Sequence, residues 1–499
     1  MRSVLTIVLL LSPVCFAFAA DDPARVLARI LAERGAITAS ELARVESVDV
    51  RERVNVLASL LEQKGVLTPG DVAMVEQATS FQTATAPVRL LPAVMANVTP
   101  QAQPSVVPSR GPEVVPAVTS QSKFPVTVYG TLLVNAFYDT SLTNIQDIPL
   151  FAGKQNSDAL GNDKSFGMTA RQSRVGMRYQ GPEVAGARIS GQAEVDFFGG
   201  KAAFGNGINM DLVRLRLAYG RLDWKNVSLE AGQDWSIFAP LNPTTLAEFA
   251  IPGLSASGNP WIRMPQIRAE FRANPSDTTR VQFQVAAIDP DVGDYNTTVF
   301  ASTRTPGIGE RGRFPGVDAR IGVSTRASGR DFSFGFSSHY SRGKNAGIVG
   351  TQTIQTGVNS WGTAIDYTLP FTKVVALSGE WYVGNALGIY SVASGESVLP
   401  VGTPGQNGVR SLGGWSQLQF NFNPKWQTNL AYGIDSERNL YLRTGDRNKN
   451  QTYTGNLIYK YSPHVNFALE WRRFLTTWKN QQFANENGDH INLAIAYLF

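Results

Sequence analysis

The chain of 499 residues is 43% apolar and 17% charged and carries 46 glycines, a mixture that excludes both intrinsic disorder and a helical membrane bundle. Residues 21–80 carry a net charge of −3 and residues 81–499 a net charge of +7. A basic later part suits anionic solutes, lipid or nucleic acid, and only the placement of its charges can choose among them.

Taken in chain order, Arg2 precedes an apolar run over 4–14, and Ala17, Ala19 and Ala20 precede Asp21 and Asp22. The run is too short to span a bilayer, so residues 1–20 read as a secretory signal peptide cleaved after Ala19 or Ala20. The lone Cys15 leaves with it. The mature chain then has no disulfide and no thiolate metal site.

Residues 21–78 hold one pattern twice, thirty positions apart: Val26, Leu27, Ile30, Leu31, Gly35, Ile37, Thr38 and Glu46 return as Val56, Leu57, Leu60, Leu61, Gly65, Leu67, Thr68 and Glu76. Each copy predicts two short helices, the first ending at the glycine in a left-handed cap and the second beginning at the threonine. Thr38 with Glu41 spells a capping box, and Thr68 precedes Pro69 at the first helical position. The unit resembles short bacterial helical repeats with a K-G-I-T consensus, which implies a small periplasmic interaction module, a spacer or a contact with peptidoglycan. Residues 79–123 are rich in Ala, Val, Thr, Gln and Pro and nearly free of charge, the composition of an extended linker.

From Val126 to the end the period becomes two. Val128, Leu132, Val134 and Ala136 share one face of the first strand, Thr127, Thr131 and Asn135 the other, and the contrast repeats through Val213, Leu215, Leu217 and Tyr219, Phe332, Phe334 and Phe336, and Phe467, Leu469 and Trp471. The pattern predicts sixteen strands, at 126–138, 169–180, 186–198, 211–219, 224–235, 261–272, 279–288, 316–326, 332–341, 358–369, 374–383, 411–422, 426–435, 451–461, 465–474 and 489–499. Most have the length of a tilted membrane strand. Connections alternate long and short, so the expected fold is an all-β, 16-stranded antiparallel transmembrane barrel over 124–499, with tight periplasmic turns and long outer loops. Tyr179, Tyr219, Trp224, Trp261, Tyr367 and Tyr461 fall near strand ends, where aromatic girdles form. The last strand ends on Phe499 and resembles the signal read by the outer-membrane assembly machinery.

If the apolar positions face lipid, their alternates face the lumen, and that list is rich in arginine. Arg174, Arg214, Arg216, Arg268 and Arg320 fall at similar height, with Arg178 and Arg188 nearer the periplasm, while Asp366, Glu380 and Glu470 lie on the inward face of the second half. Two readings stand side by side. Inward arginines can pair with acids on neighbouring strands, for example Arg216 with Glu230, or a row of guanidinium groups can lower the barrier to anions. A guanidinium also holds carboxylate or phosphate bidentately. The loop 236–260, with Phe238, Glu248 and Phe249, is expected to fold inward and narrow the pore opposite the arginines, or else to cap the mouth.

Ala231-Gly232-Gln233-Asp234-Trp235-Ser236-Ile237-Phe238 and Trp261-Ile262-Arg263-Met264-Pro265-Gln266-Ile267-Arg268 resemble the DcaP-like family of trimeric outer-membrane channels. The resemblance covers 124–499 and implies a homotrimer passing small organic anions such as dicarboxylates. The barrel is also similar to phosphate-selective porins, which makes inorganic phosphate the nearest rival solute.

Enzyme motifs are missing: His339, His464 and His490 are scattered, and neither HExxH nor GxSxG occurs. Gly307, Gly309 and Gly312 spell a dinucleotide fingerprint but fall in an outer loop without a strand-to-helix context. Asp289, Asp291 and Asp294 lack the rest of a calcium loop. Basic residues alternate along strands instead of clustering with aromatics, which argues against nucleic acid. No cofactor and no metal is expected.

Overall fold

In the computed structural model, the described residues are 28–29, 31–32, 35–48, 52–67 and 72, then 125–154, 164–200, 211–290, 306–349, 351–392, 398, 408–438, 442–479 and 485–499. The export segment 1–20, the linker 79–123, the Thr68-Pro69 start and Asp291 and Asp294 lie outside them.

Local rules build the N-terminal unit. Helix α1 (Ala39–Ser47) begins at Thr38, whose hydroxyl accepts from the Glu41 amide while the Glu41 carboxylate accepts from the Thr38 amide at 2.6 Å. That backbone hydrogen bond holds the Glu41 carboxyl below its ordinary value. Helix α2 (Arg53–Gln63) gives way to Gly65, which like Gly35 has a positive φ, a conformation open to glycine at little cost. Leu31, Ile37, Val45, Leu57, Leu60 and Leu61 form its core.

The second unit is a closed sheet. Its strands are β1 (Val126–Asp139), β2 (Ser165–Thr169), β3 (Arg174–Val184), β4 (Ala187–Asp196), β5 (Arg214–Asp223), β6 (Val227–Trp235), β7 (Arg263–Ser276), β8 (Thr279–Ile288) and β9 (Gly316–Ala327). They continue as β10 (Arg330–Val349), β11 (Gln352–Pro370), β12 (Val375–Asn385), β13 (Arg410–Asn421), β14 (Trp426–Glu437), β15 (Arg447–Lys460), β16 (Val465–Trp478) and β17 (Asn485–Leu498). From β3 to β17 neighbours in sequence pair antiparallel, and β1 closes the ring by pairing β17 on one edge and both β2 and β3 on the other. β2 and β3 are thus one spanning strand, expected as an unbroken 169–180 and instead broken at 170–173. There the Ser173 hydroxyl accepts the Leu133 amide at 2.9 Å. Among the described residues sixteen spanning strands result, and closure leaves none of them as an open edge.

Side chains invert the pattern of a soluble protein. Leu132, Ile267, Phe334, Phe336, Leu469 and Ile495 are exposed on the outer wall, while Thr131, Asn135, Ser360, Glu380 and Asn492 are fully buried inside. An apolar exterior around a polar interior is stable only in lipid, so this is a membrane-spanning barrel. The last residue takes part: Phe499 and Gly130 exchange backbone hydrogen bonds of 3.1 and 3.2 Å.

Two features depart from the alternation read in the sequence. β10 and β11 run as one long hairpin, pairing from Ser333↔Thr368 to Val349↔Gln352, where a fifth outer loop of about sixteen residues was expected. Residues 342–349 pair with residues 352–359, because a hairpin ladder needs backbone hydrogen bonds and no apolar face. In β5, a register shift opposite Glu194 and Val195 moves Tyr219 from the girdle to the lumen, where its hydroxyl donates to Gln192 Oε1 at 3.0 Å. A bulge shifts parity by one, and every residue after it changes face.

Candidate functional site

The connection 236–262 between β6 and β7 folds into the barrel. It is poor in charge and broken by Pro240, Pro243 and Pro252, so it cannot add a strand and must satisfy its backbone against inward side chains. Phe238 is fully buried against Tyr390, with ring centroids 4.7 Å apart. The Leu241 amide donates to Glu380, and the Thr244 amide to Gln417 Oε1 at 2.8 Å. The Ala247 carbonyl accepts from Asn135 and Gln172, and the Phe249 amide donates to Gln172 Oε1 at 2.8 Å. Returning, Ser257 bonds Thr452 and Asn450. At Gly258, with φ +91, a Cβ would collide with the backbone of Gly414 and Ile434, so only glycine lets the loop lie on the wall.

Glu248 is buried and pairs with Arg472 of β16, which also donates to the Pro149 carbonyl at 3.0 Å. Phe249 and Ala250 lie on the arginines, where the sequence placed the loop across the pore from them. Arg174 stacks over the Phe249 ring at 4.7 Å. Arg216 donates to the Phe249 carbonyl at 3.1 Å, and Arg214 and Arg263 donate to the Ala250 carbonyl at 2.7 and 3.0 Å. Ion pairs tie three of these four guanidinium groups to Glu194 and Asp196. Arg216 pairs with Glu194 at 2.6 Å and Asp196 at 2.9 Å, Arg214 with Asp196 at 2.6 Å, and Arg174 approaches Glu194 at 3.9 Å. Glu230, the partner foreseen for Arg216, serves Arg268 and Arg221 instead.

The remaining predicted arginines sit in other surroundings. Arg268, with Arg221 and Arg272, belongs to a network that includes Asp223, Glu230, Asp234 and Glu270, a locally compensated set. Arg320 forms a two-point pair with Asp366 at 2.7 and 3.0 Å. Arg178 stacks over the Tyr129 ring at 4.4 Å. Arg188 stands exposed near the turn between β3 and β4.

Several groups escaped the sequence reading. Glu194, Asp196 and Arg472 stand at inward positions of their strands, so alternation alone carried the signal. Arg263 falls on the apolar parity of β7. Its place at the strand end lets the long side chain reach Ala250, stacked over Trp235 at 4.6 Å and Trp261 at 5.1 Å. Three strands also align Asp318, His339 and Ser360. His339 Nδ1 lies 2.8 Å from Asp318 Oδ1, and Nε2 lies 3.1 Å from Ser360 Oγ. The sequence showed no such constellation, because the three residues are distant in the chain. The Ser360 hydroxyl donates to the Ala386 carbonyl at 2.8 Å, and all three residues are buried. With Ser236 and Tyr390 also bonded to Asp318, the group anchors the inner loop to the wall. Residues 307–312 form a loop closed by the Gly307 amide on Glu310, not a nucleotide cradle.

The fold is that of an outer-membrane channel. The outer-membrane channel DcaP of Acinetobacter baumannii superposes with a TM-score of 0.57 at 19% identity, over 77% of this chain and all of that one. The outer-membrane protein OmpT of Vibrio cholerae gives 0.46 at 11%, over 77% and 100%. An anion-selective porin from Comamonas acidovorans gives 0.45 at 13%, over 75% and 100%. No protein-family model and no curated protein sequence matches the chain.

Proposed function

We propose that this barrel is a passive diffusion channel of the outer membrane that prefers small organic anions. The observation that carries the reading is the gathering of four guanidinium groups, those of Arg174, Arg214, Arg216 and Arg263, against Phe249 and Ala250, the first three of them paired with Glu194 and Asp196. Fixed positive charge beside a narrowed path attracts anions and repels cations without any conformational step. Arg214 keeps part of its side chain open, and its planar fork suits a carboxylate. Arg178 and Arg188 extend the basic surface toward the periplasm. Arg268 and Arg320 shape the wall through their acid partners and add little free charge. Small dicarboxylates fit this surface, and phosphate is the competing solute because it offers the same bidentate geometry.

The resemblance of 231–238 and 261–268 to DcaP-like channels supports a homotrimer, and residues 21–78 would stand in the periplasm as a spacer or a peptidoglycan contact. The deciding experiment is the reversal potential of the purified protein in planar bilayers under a KCl gradient. A potential of the sign set by chloride, shifted further by competing succinate or phosphate, supports the reading. Cation selectivity overturns it and leaves a general or sugar porin.

A further inference from the structure

At the tight-turn end of the barrel, away from the inner loop, a cavity of about 730 Å³ opens between β4, β5, β7 and β8. Five cations line it against two carboxylates, Glu183 and Asp223. Two of the cations are built into the wall. Arg221 is held by Asp223 at 3.0 Å, Glu230 at 3.0 Å and Glu270 at 2.6 Å, and Arg272 donates to the Ser228 hydroxyl at 2.6 Å and the Trp224 carbonyl at 3.0 Å. The other three, Arg188, Lys225 and Arg280, are exposed and enter no ion pair among the described residues. They come from three places in the fold: the start of β4, the turn after β5, and the start of β8. Trp224 completes the rim, its indole nitrogen donating to the Ala185 carbonyl at 3.0 Å, which fixes the ring.

We propose that this cavity is a binding site for a multiply charged organic anion of tricarboxylate size. Three separated cations around a space many times the roughly 30 Å³ of a water molecule cannot all be met by one monovalent group. A compact molecule with two or three carboxylates meets them together, and each charge-assisted hydrogen bond adds to affinity. The rigid Arg221 and Arg272 below, and the fixed indole at the rim, leave only the three free side chains to be ordered on binding. In barrels of this type tight turns face the periplasm, so an anion leaving the inner loop would meet this site last. That physiological sense rests on the channel reading above, whereas the binding itself does not.

Isothermal titration of the full-length protein in detergent at low ionic strength, with citrate as the probe and acetate as the monovalent control, tests it. Citrate is expected to bind, and acetate not. Lys225→Gln with Arg280→Gln, and separately Arg188→Gln, should weaken citrate ten- to hundredfold, the scale of a lost charge-assisted bond. Arg326→Gln, at the exposed turn between β9 and β10 and outside the cavity, should leave it unchanged. The proposal fails if the wild type does not bind citrate, if acetate binds as tightly, or if the cavity substitutions leave affinity intact. It also fails if only Arg214→Gln lowers affinity, because the anion would then sit at the inner loop. Failure of the channel reading shows separately, as cation selectivity in the bilayer.

Discussion

Replacing Arg214 and Arg263 by glutamine removes two positive charges beside Ala250 while sparing the Arg216 pairs with Glu194 and Asp196. A unit charge about 6 Å from a passing ion contributes roughly 0.7 kcal/mol at the dielectric constant of water, and screening at 0.1 M salt leaves about half. A permeability ratio counts each charge twice, since attraction of the anion and repulsion of the cation disappear together. Two charges then amount to about 1.4 kcal/mol, or about a tenfold fall in the anion-to-cation ratio. The assay is the reversal potential under a KCl gradient near 0.1 M, repeated near 1 M, where the difference between wild type and variant should shrink to about twofold. An unchanged ratio at 0.1 M, or a ratio that moves toward anions, would refute the account of the arginine group.

Glu248→Ala leaves the buried Arg472 with Glu470 at 3.4 Å and no partner in the loop. Breaking such a pair costs about 3 kcal/mol, so thermal stability in detergent should fall and single-channel conductance rise as 245–250 loosen. The Arg472→Ala double variant should recover part of that loss in a mutant cycle. Asp366→Asn uncovers Arg320 and should raise the anion-to-cation ratio, whereas an unchanged ratio would place Arg320 away from the ion path. Thr38→Ala removes the α1 cap and should cost about 1 kcal/mol, read as faster hydrogen exchange at the Glu41 amide. Because the folded Glu41 carboxyl titrates below its ordinary value, its capping contribution is present above the usual glutamate range. It is lost as pH falls through the lowered value, and protection of the Thr38 amide relative to its intrinsic exchange rate should fall over that window.

Alternation alone fixes most of the barrel, since period two determines which face meets lipid and the exposed Leu132, Phe334 and Leu469 could face nowhere else. The cap at Thr38 and the turn glycines are equally local. Alternation fails where geometry shifts by one residue: the bulge opposite Glu194 turns Tyr219 inward, and the end of β7 lets Arg263 cross from the lipid parity to the lumen. It also cannot show partners. The sequence places arginines on the inner wall, but whether a guanidinium acts on a passing ion or is neutralised depends on register between strands and on a loop that returns from another part of the ring. Register assigns Glu194 and Asp196 to Arg216, gives Arg268 its own acids, and brings Glu248 to Arg472 across 224 residues of chain. Local periodicity therefore determined the barrel and its polar lining, and tertiary structure decided which charges remain uncompensated, because Coulombic pairing acts through space at a few ångströms and sequence distance carries no information about it.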